Sequence, residues 1–275
     1  MVKNAKVDGR YSNIRMVFEF DGKTEERLPA DCRDIEGLTA FSFYNITPAM
    51  MTKTVKATLY ATFEGEEYVL DTLDYSITDY FYDILANDEY ADLHTLIVDM
   101  LNYGAETQKY VDPDCTDAQL PNAGLKDPQK ILASTDAELN NHIAIDKVLA
   151  EPTAEWNTAG LALGSIVAVK AGFAAENVAD LKVKISVGDD TTVLTKEMLT
   201  KTANGYALRF DGLNPAQLSE AIKLTVYDGD TRISNTLTYS AESYAYAMQD
   251  DGTVGSLVKA MMRYGRSVAE CFGNN

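Results

Sequence analysis

The chain has 275 residues, 46% of them hydrophobic, enough to bury two modest cores or one large one. It carries 24 Lys and Arg against 42 Asp and Glu, a formal net charge of −18 at pH 7. Such an excess of carboxylates repels phosphate, which excludes nucleic acid and anionic membrane surfaces as partners, and no run of about 18 apolar residues is present to span a bilayer.

Residues 1–13 lack the apolar stretch of a signal peptide. Segments 14–22, 40–45, 54–65 and 67–76 then read as strands, with apolar residues alternating and Gly, Asp or Asn at the breaks. The period changes after Ser76, a candidate helix N-cap. A short helix is expected, followed by a longer one over 92–110 whose Leu93, Leu96, Ile97, Met100, Leu101 and Gly104 share one stripe.

Residues 111–157 read as a connector. Its first part holds Pro113, Pro121 and Pro128, and a short helix is expected around 135–150. Leu139, Ile143, Ile145, Val148 and Leu149 in that piece need cover. The single tryptophan, Trp156, closes the segment, either as a core or interface anchor or as a sugar-stacking ring.

Strands are expected again at 163–173, 180–188, 206–212, 221–229 and 233–240, with Asp189-Asp190 and Asp228-Gly229-Asp230 as hairpin turns. A short helix capped by Ser240 follows. The last helix carries Leu257, Val258, Met261, Met262, Gly265 and Val268 along one side.

The two series match each other. At an offset of 167, Met16, Phe18 and Phe20 reach Val183, Ile185 and Val187, while Pro48, Met51 and Tyr60 reach Pro215, Leu218 and Tyr227. The offset falls to 164 between 72–82 and 236–246, then to 161 between 96–110 and 257–271. Each loss of three residues falls at an expected turn, where length change costs little. The reading is a duplication. Its fold class is α+β: two tandem antiparallel β-sandwich (Ig-like) modules, each closed by a C-terminal helical hairpin. The domains are 1–110, the connector 111–157, and 158–275. Copy one lacks a counterpart of the strand at 163–173, so its first strand is expected to be missing. Gly104 and Gly265, matched in mid-helix, are expected to permit close packing at a cost of about 1 kcal/mol each relative to alanine.

Catalytic constellations are not evident. His94 and His142 are the two histidines, neither is placed beside a nucleophile, and HExxH, GxSxG and glycine-rich phosphate loops are absent. Cys32, Cys115 and Cys271 have neither disulfide nor metal spacing. Asp112, Asp114 and Asp117 form D-x-D-x-x-D, a weak calcium candidate without the glycine and bidentate glutamate of an EF-hand. No cofactor is expected, and no metal beyond that candidate. An enzyme is not expected, although acids are numerous enough for a carboxylate-dependent glycoside hydrolase to be the alternative.

The stretch YSITDYFYDILAND with LHTLIVDMLNYGAETQKY, and the matching GLNPAQLSEAIKLTVYDGDTRISNTLTYSAESYA with LVKAMMRYG, resemble a repeat of large exported proteins from anaerobic Gram-positive gut bacteria. Those proteins often carry dockerin modules, leucine-rich repeats or cell-wall anchors. The resemblance spans most of 14–110 and 158–272. It implies an extracellular or cell-surface home within a longer exported chain, and a non-catalytic role in binding, adhesion or scaffolding. The partner it implies is a glycan or a protein, with polysaccharide such as a starch-like glycan as the narrower form. A secreted host-interacting effector is the other alternative. A monomer is expected. Trp156 is the weak ligand-binding candidate, and the resemblance carries over no binding residues of its own.

Overall fold

The computed structural model describes residues 2–3, 10–44, 46–131, 138–164 and 166–273. The N-terminal half contains β1 (Val2–Lys3), β2 (Ser12–Phe20), β3 (Lys23–Arg27), β4 (Arg33–Ile35), β5 (Leu38–Ala40), β6 (Val55–Phe63) and β7 (Glu66–Tyr75), then α1 (Ile77–Leu85) and α2 (His94–Val111). Between the halves lie α3 (Asp127–Ile131) and β8 (Ala144–Ile145). The C-terminal half contains β9 (Ala154–Leu163), β10 (Val167–Ala175), β11 (Leu181–Val187), β12 (Asp190–Thr195), β13 (Thr200–Thr202) and β14 (Gly205–Phe210). It continues with β15 (Ile222–Asp228), β16 (Thr231–Arg232), β17 (Leu237–Tyr239), α4 (Ala241–Met248) and α5 (Gly255–Phe272).

The result is a sheet-rich α and β protein with four antiparallel sheets, in the orders β3-β2-β6-β7, β1-β5-β4, β13-β14-β10-β9 and β12-β11-β15-β17-β8, with β16 on β15. Asp21-Gly22 and Glu64-Gly65, all at positive φ, turn the β2–β3 and β6–β7 hairpins as right-handed strand twist requires. In the C-terminal half two sheets face each other. Val169, Ala171 and Phe173 of β10 and Leu208 of β14 pack against Val183 and Ile185 of β11, Leu224 and Val226 of β15, and Leu237 of β17. In the N-terminal half Phe43, in the loop after β5, meets Phe18 and Phe20 of β2 at ring-centroid distances of 5.4 and 5.5 Å.

Both short helices are capped as the sequence indicates. Ser76 Oγ accepts from Asp79 N–H and Ser240 Oγ accepts from Ser243 N–H, each at 3.0 Å. Ile97, Val98 and Leu101 of α2 pack on Phe81 and Ile84 of α1, and Val258 and Met261 of α5 on Ala241 and Ala245 of α4. Among the described residues no helix is long and apolar enough to cross a membrane.

Several elements depart from the sequence reading. A strand does precede Asn13: Val2–Lys3 pairs with Leu38–Thr39, while residues 4–9 lie outside the described residues. Of the strand expected at 40–45, Ala40 alone is in a ladder, and Asn45 is not described. The connector helix is Asp127–Ile131. Residues 138–150 are extended, with β8 hydrogen-bonded to β17, because this stretch completes a sheet rather than burying a helical stripe. Residues 135–137 of the expected helix lie outside the described residues. Within the connector Leu139 is buried, whereas Ile143, Ile145 and Val148 are exposed. The sequence reading also misses β9, which begins four residues before the expected boundary at 158, and the polar edge strand β3.

Candidate functional site

The two long helices lie against each other, and the close fit begins with their glycines. A Cβ on Gly104 would stand 2.7 Å from Met51 Sδ and 3.1 Å from Pro48 O; one on Gly265 would stand 2.8 Å from Pro215 O and 2.9 Å from Leu218 Cδ1. Each glycine admits a 3-10 turn, Pro48–Met50 or Pro215–Gln217, against its helix. The matched hydrogen bonds Thr78 N–H to Met51 O and Glu242 N–H to Leu218 O, both 3.1 Å, tie the short helices to the same turns. This is the packing role the sequence indicates.

Between α2 and α5, Tyr103 and Tyr264 stack at 5.5 Å with an interplanar angle of 12°. They are counterparts at the 161 offset. Asp99, buried in the same interface, accepts from Arg263 Nε at 3.3 Å and from the Ser267 hydroxyl. Removing one member of a buried charge pair strands the other, so Asp99 fixes the mutual position of the helices. Burial pushes the Tyr103 phenol up to about 12 and also raises Tyr264, so both rings are neutral hydrogen-bonding groups at physiological pH.

Where the halves meet, a cavity of about 410 Å³ opens. Its walls are the 3-10 turn at Thr47–Met50 with Lys53, the last turns of α2 from Tyr103 to Asp112, Leu163 and Gly164 after β9, and Leu257 of α5. The volume falls in the range of small-ligand sites, which are mostly apolar with a few fixed polar groups. Lys53 is engaged by Asp21 at 2.5 Å. Gln108 donates through Nε2 to Gln119 O at 3.3 Å, while its Oε1 is shielded from solvent and has no hydrogen-bond partner. The cleft can take an apolar group. Asp112 is the one carboxylate on its described lining, whereas glycoside hydrolysis uses two.

The residues singled out from sequence do not meet there as a group. Trp156 is half-buried, edge-on to Phe173 at 5.2 Å, and its indole N–H donates to Asn235 O at 2.8 Å. Both the ring and its polar handle are committed to the fold. Among the described residues no group of three His, Cys, Asp or Glu side chains converges as metal ligands, and Asp112, Asp114 and Asp117 are not brought together as one. His94 Nε2–H donates to Ile84 O at 3.1 Å, closing the end of α1. His142 lies 3.4 Å from buried Glu242, and Asn140 N–H donates to the same carboxylate at 3.1 Å. Those contacts fasten the connector to α4. Of the paired tyrosines, Tyr239 is buried while Tyr80 and Tyr246 are exposed, at positions that do not match across the halves. Gln108 and Met50 carry no local signal, because the cleft draws on several segments far apart in the chain.

Neither a family model, a curated protein nor a solved structure matches this chain.

Proposed function

We propose that the chain is a tandem duplication of one unit, an Ig-like sandwich followed by a helical hairpin, acting outside the cell as a non-catalytic binding and scaffolding module. The matched elements support the duplication: α2 and α5 each have 18 residues at the 161 offset, and Tyr103 meets its own counterpart Tyr264. Self-meeting positions are the mark of a local two-fold relation between similar units. Gly104 and Gly265, the caps Ser76 and Ser240, and the 3-10 turns Pro48–Met50 and Pro215–Gln217 recur at their offsets, a pattern that independent sequences have no reason to keep.

The observation that carries the binding role is the apolar cleft between the halves. Its mostly apolar lining suits an apolar side chain on a peptide or protein, and Trp156, which is not on that lining, is engaged within the fold. The test is a panel of glycans and peptides with pull-downs on starch, mucin and plant fibre, run beside Ala49→Trp, which fills the cleft, and Gln108→Leu. Retention of peptide ligands, lost in both variants, is expected. Ligands retained equally by wild type and both variants, or turnover of any glycan, would overturn the reading.

A further inference from the structure

β7 and β17 are matched strands in opposite surroundings. β17 is flanked by β8, with Leu237 opposite Ile145 and Thr238 opposite Ala144. The same connector continues along this edge: Leu149 N–H donates to Asn235 Oδ1 at 2.8 Å, and Ala154 bridges Ser234. β7, ten residues long, pairs with β6 and ends its sheet. Leu237 is 2% exposed, whereas Leu73, its counterpart 164 residues earlier, is 58% exposed. Tyr68, Val69 and Leu70 are exposed as well. Among the described residues the outer side of β7 pairs with no strand, although Thr72 N–H donates to Asp71 Oδ1 at 2.8 Å, and a long edge of this kind is a template for another strand.

A second, independent observation lies one strand inward. Thr225 Oγ1 is 2.9 Å from Thr236 Oγ1, and Thr236 N–H donates to Asp146 of the connector at 3.0 Å. The matched pair is Thr58 and Thr72, opposite each other across β6 and β7. Thr58 is 4% exposed and its Oγ1 has no hydrogen-bond partner. Among the described residues the N-terminal half thus holds the edge without a connector along it, and its Thr58 hydroxyl lacks the bond that Thr225 makes to Thr236.

Charge selects the occupant. Glu66, Glu67, Asp71 and Asp74 punctuate β7. Pairing with a second copy, antiparallel about Leu70 and Asp71, would set Glu67 opposite Asp74 twice, on chains of net charge −18. We propose that β7 docks an extended polypeptide segment, antiparallel to it, in which apolar residues alternate with Lys or Arg. The apolar side chains cover Leu73 and Tyr68 on one face of the strand, and the cations meet Glu67 and Asp74 on the other. This surface is separate from the cleft, so failure at one leaves the other standing.

The test is hydrogen exchange on the intact chain with a peptide of residues 141–150 carrying Asp146→Lys. Slowed exchange confined to 66–75 is expected, with weaker protection from the unaltered peptide. Leu73→Lys with Asp74→Lys, both at exposed positions, should keep the circular dichroism spectrum and weaken binding roughly tenfold. Protection elsewhere, no protection at millimolar peptide, or unchanged affinity in the double variant would overturn the proposal. So would self-association that protects 66–75 without peptide, which would make a second copy the occupant.

Discussion

The N-terminal and C-terminal halves use matching elements and reach different degrees of closure. In the C-terminal half, β9 adds an edge to one sheet, β8 adds an edge to the other, and Trp156 seals the corner between them. The N-terminal half faces its main sheet with three short strands, and the inner side of β7 stays open. The lesson is that a sandwich's own strands do not guarantee its closure. Segments that precede the unit in the chain do the sealing, and matched residues acquire different energetic weight according to whether that cover is present.

Matched substitutions test this from the largest effect down. Leu237→Ala should destabilise by about 2–5 kcal/mol as a buried leucine truncation, while Leu73→Ala should stay within about 0.5 kcal/mol. Urea denaturation of both variants reads the difference directly, and equal costs would break the comparison. Trp156→Ala removes a half-buried ring and its hydrogen bond to Asn235. A loss of about 2 kcal/mol is expected, with faster amide exchange at 144–149 so that the C-terminal edge comes to resemble the N-terminal one.

Gly265→Ala should cost about 1–3 kcal/mol, because the new methyl meets the backbone oxygen of Pro215. Gly104→Ala first meets the mobile end of Met51, and thermal unfolding should rank it the milder of the two. The smallest effect is local and pH-dependent. Hydrogen bonding from Arg232 holds the Asp146 carboxyl down to about 2, below its ordinary value of 3.8. A depressed folded pKa contributes stability that is complete above about 4 and is lost as pH falls toward about 2. Protection of Ala144, Ile145 and Thr236 should fade across that window, a step the β7 edge should not show. Exchange measured as a function of acidity would reveal it, and Arg232→Gln should move the loss to higher pH.

Much of the secondary structure was legible because burial imposes a period. Strands β2, β6, β11 and β15 alternate, and α1, α2, α4 and α5 follow capping serines or apolar stripes. β3, with its sequence Lys-Thr-Glu-Glu-Arg, was not legible: an edge strand with both faces wet has no reason to alternate, and its ladder to β2 defines it. The connector misled for a related reason. Ile143, Ile145 and Val148 suggested a buried face, yet at a sheet edge backbone hydrogen bonds hold the segment while those side chains stay exposed. Trp156 could be read as an anchor or a platform, and only its partners Phe173 and Asn235 decide between them.

The sequence by itself determined the alternating strands β2, β6, β11 and β15, the helices α1, α2, α4 and α5 with the caps Ser76 and Ser240, the three offsets between the halves and the need for glycine at 104 and 265, since each is a local consequence of periodicity or of recurring residues. The tertiary structure alone decided that the long helices meet through Tyr103 and Tyr264, that a cleft opens beside them, and that one matched edge is sealed while the other is open. Those features depend on contacts between residues far apart in the chain, whose partners no local pattern specifies.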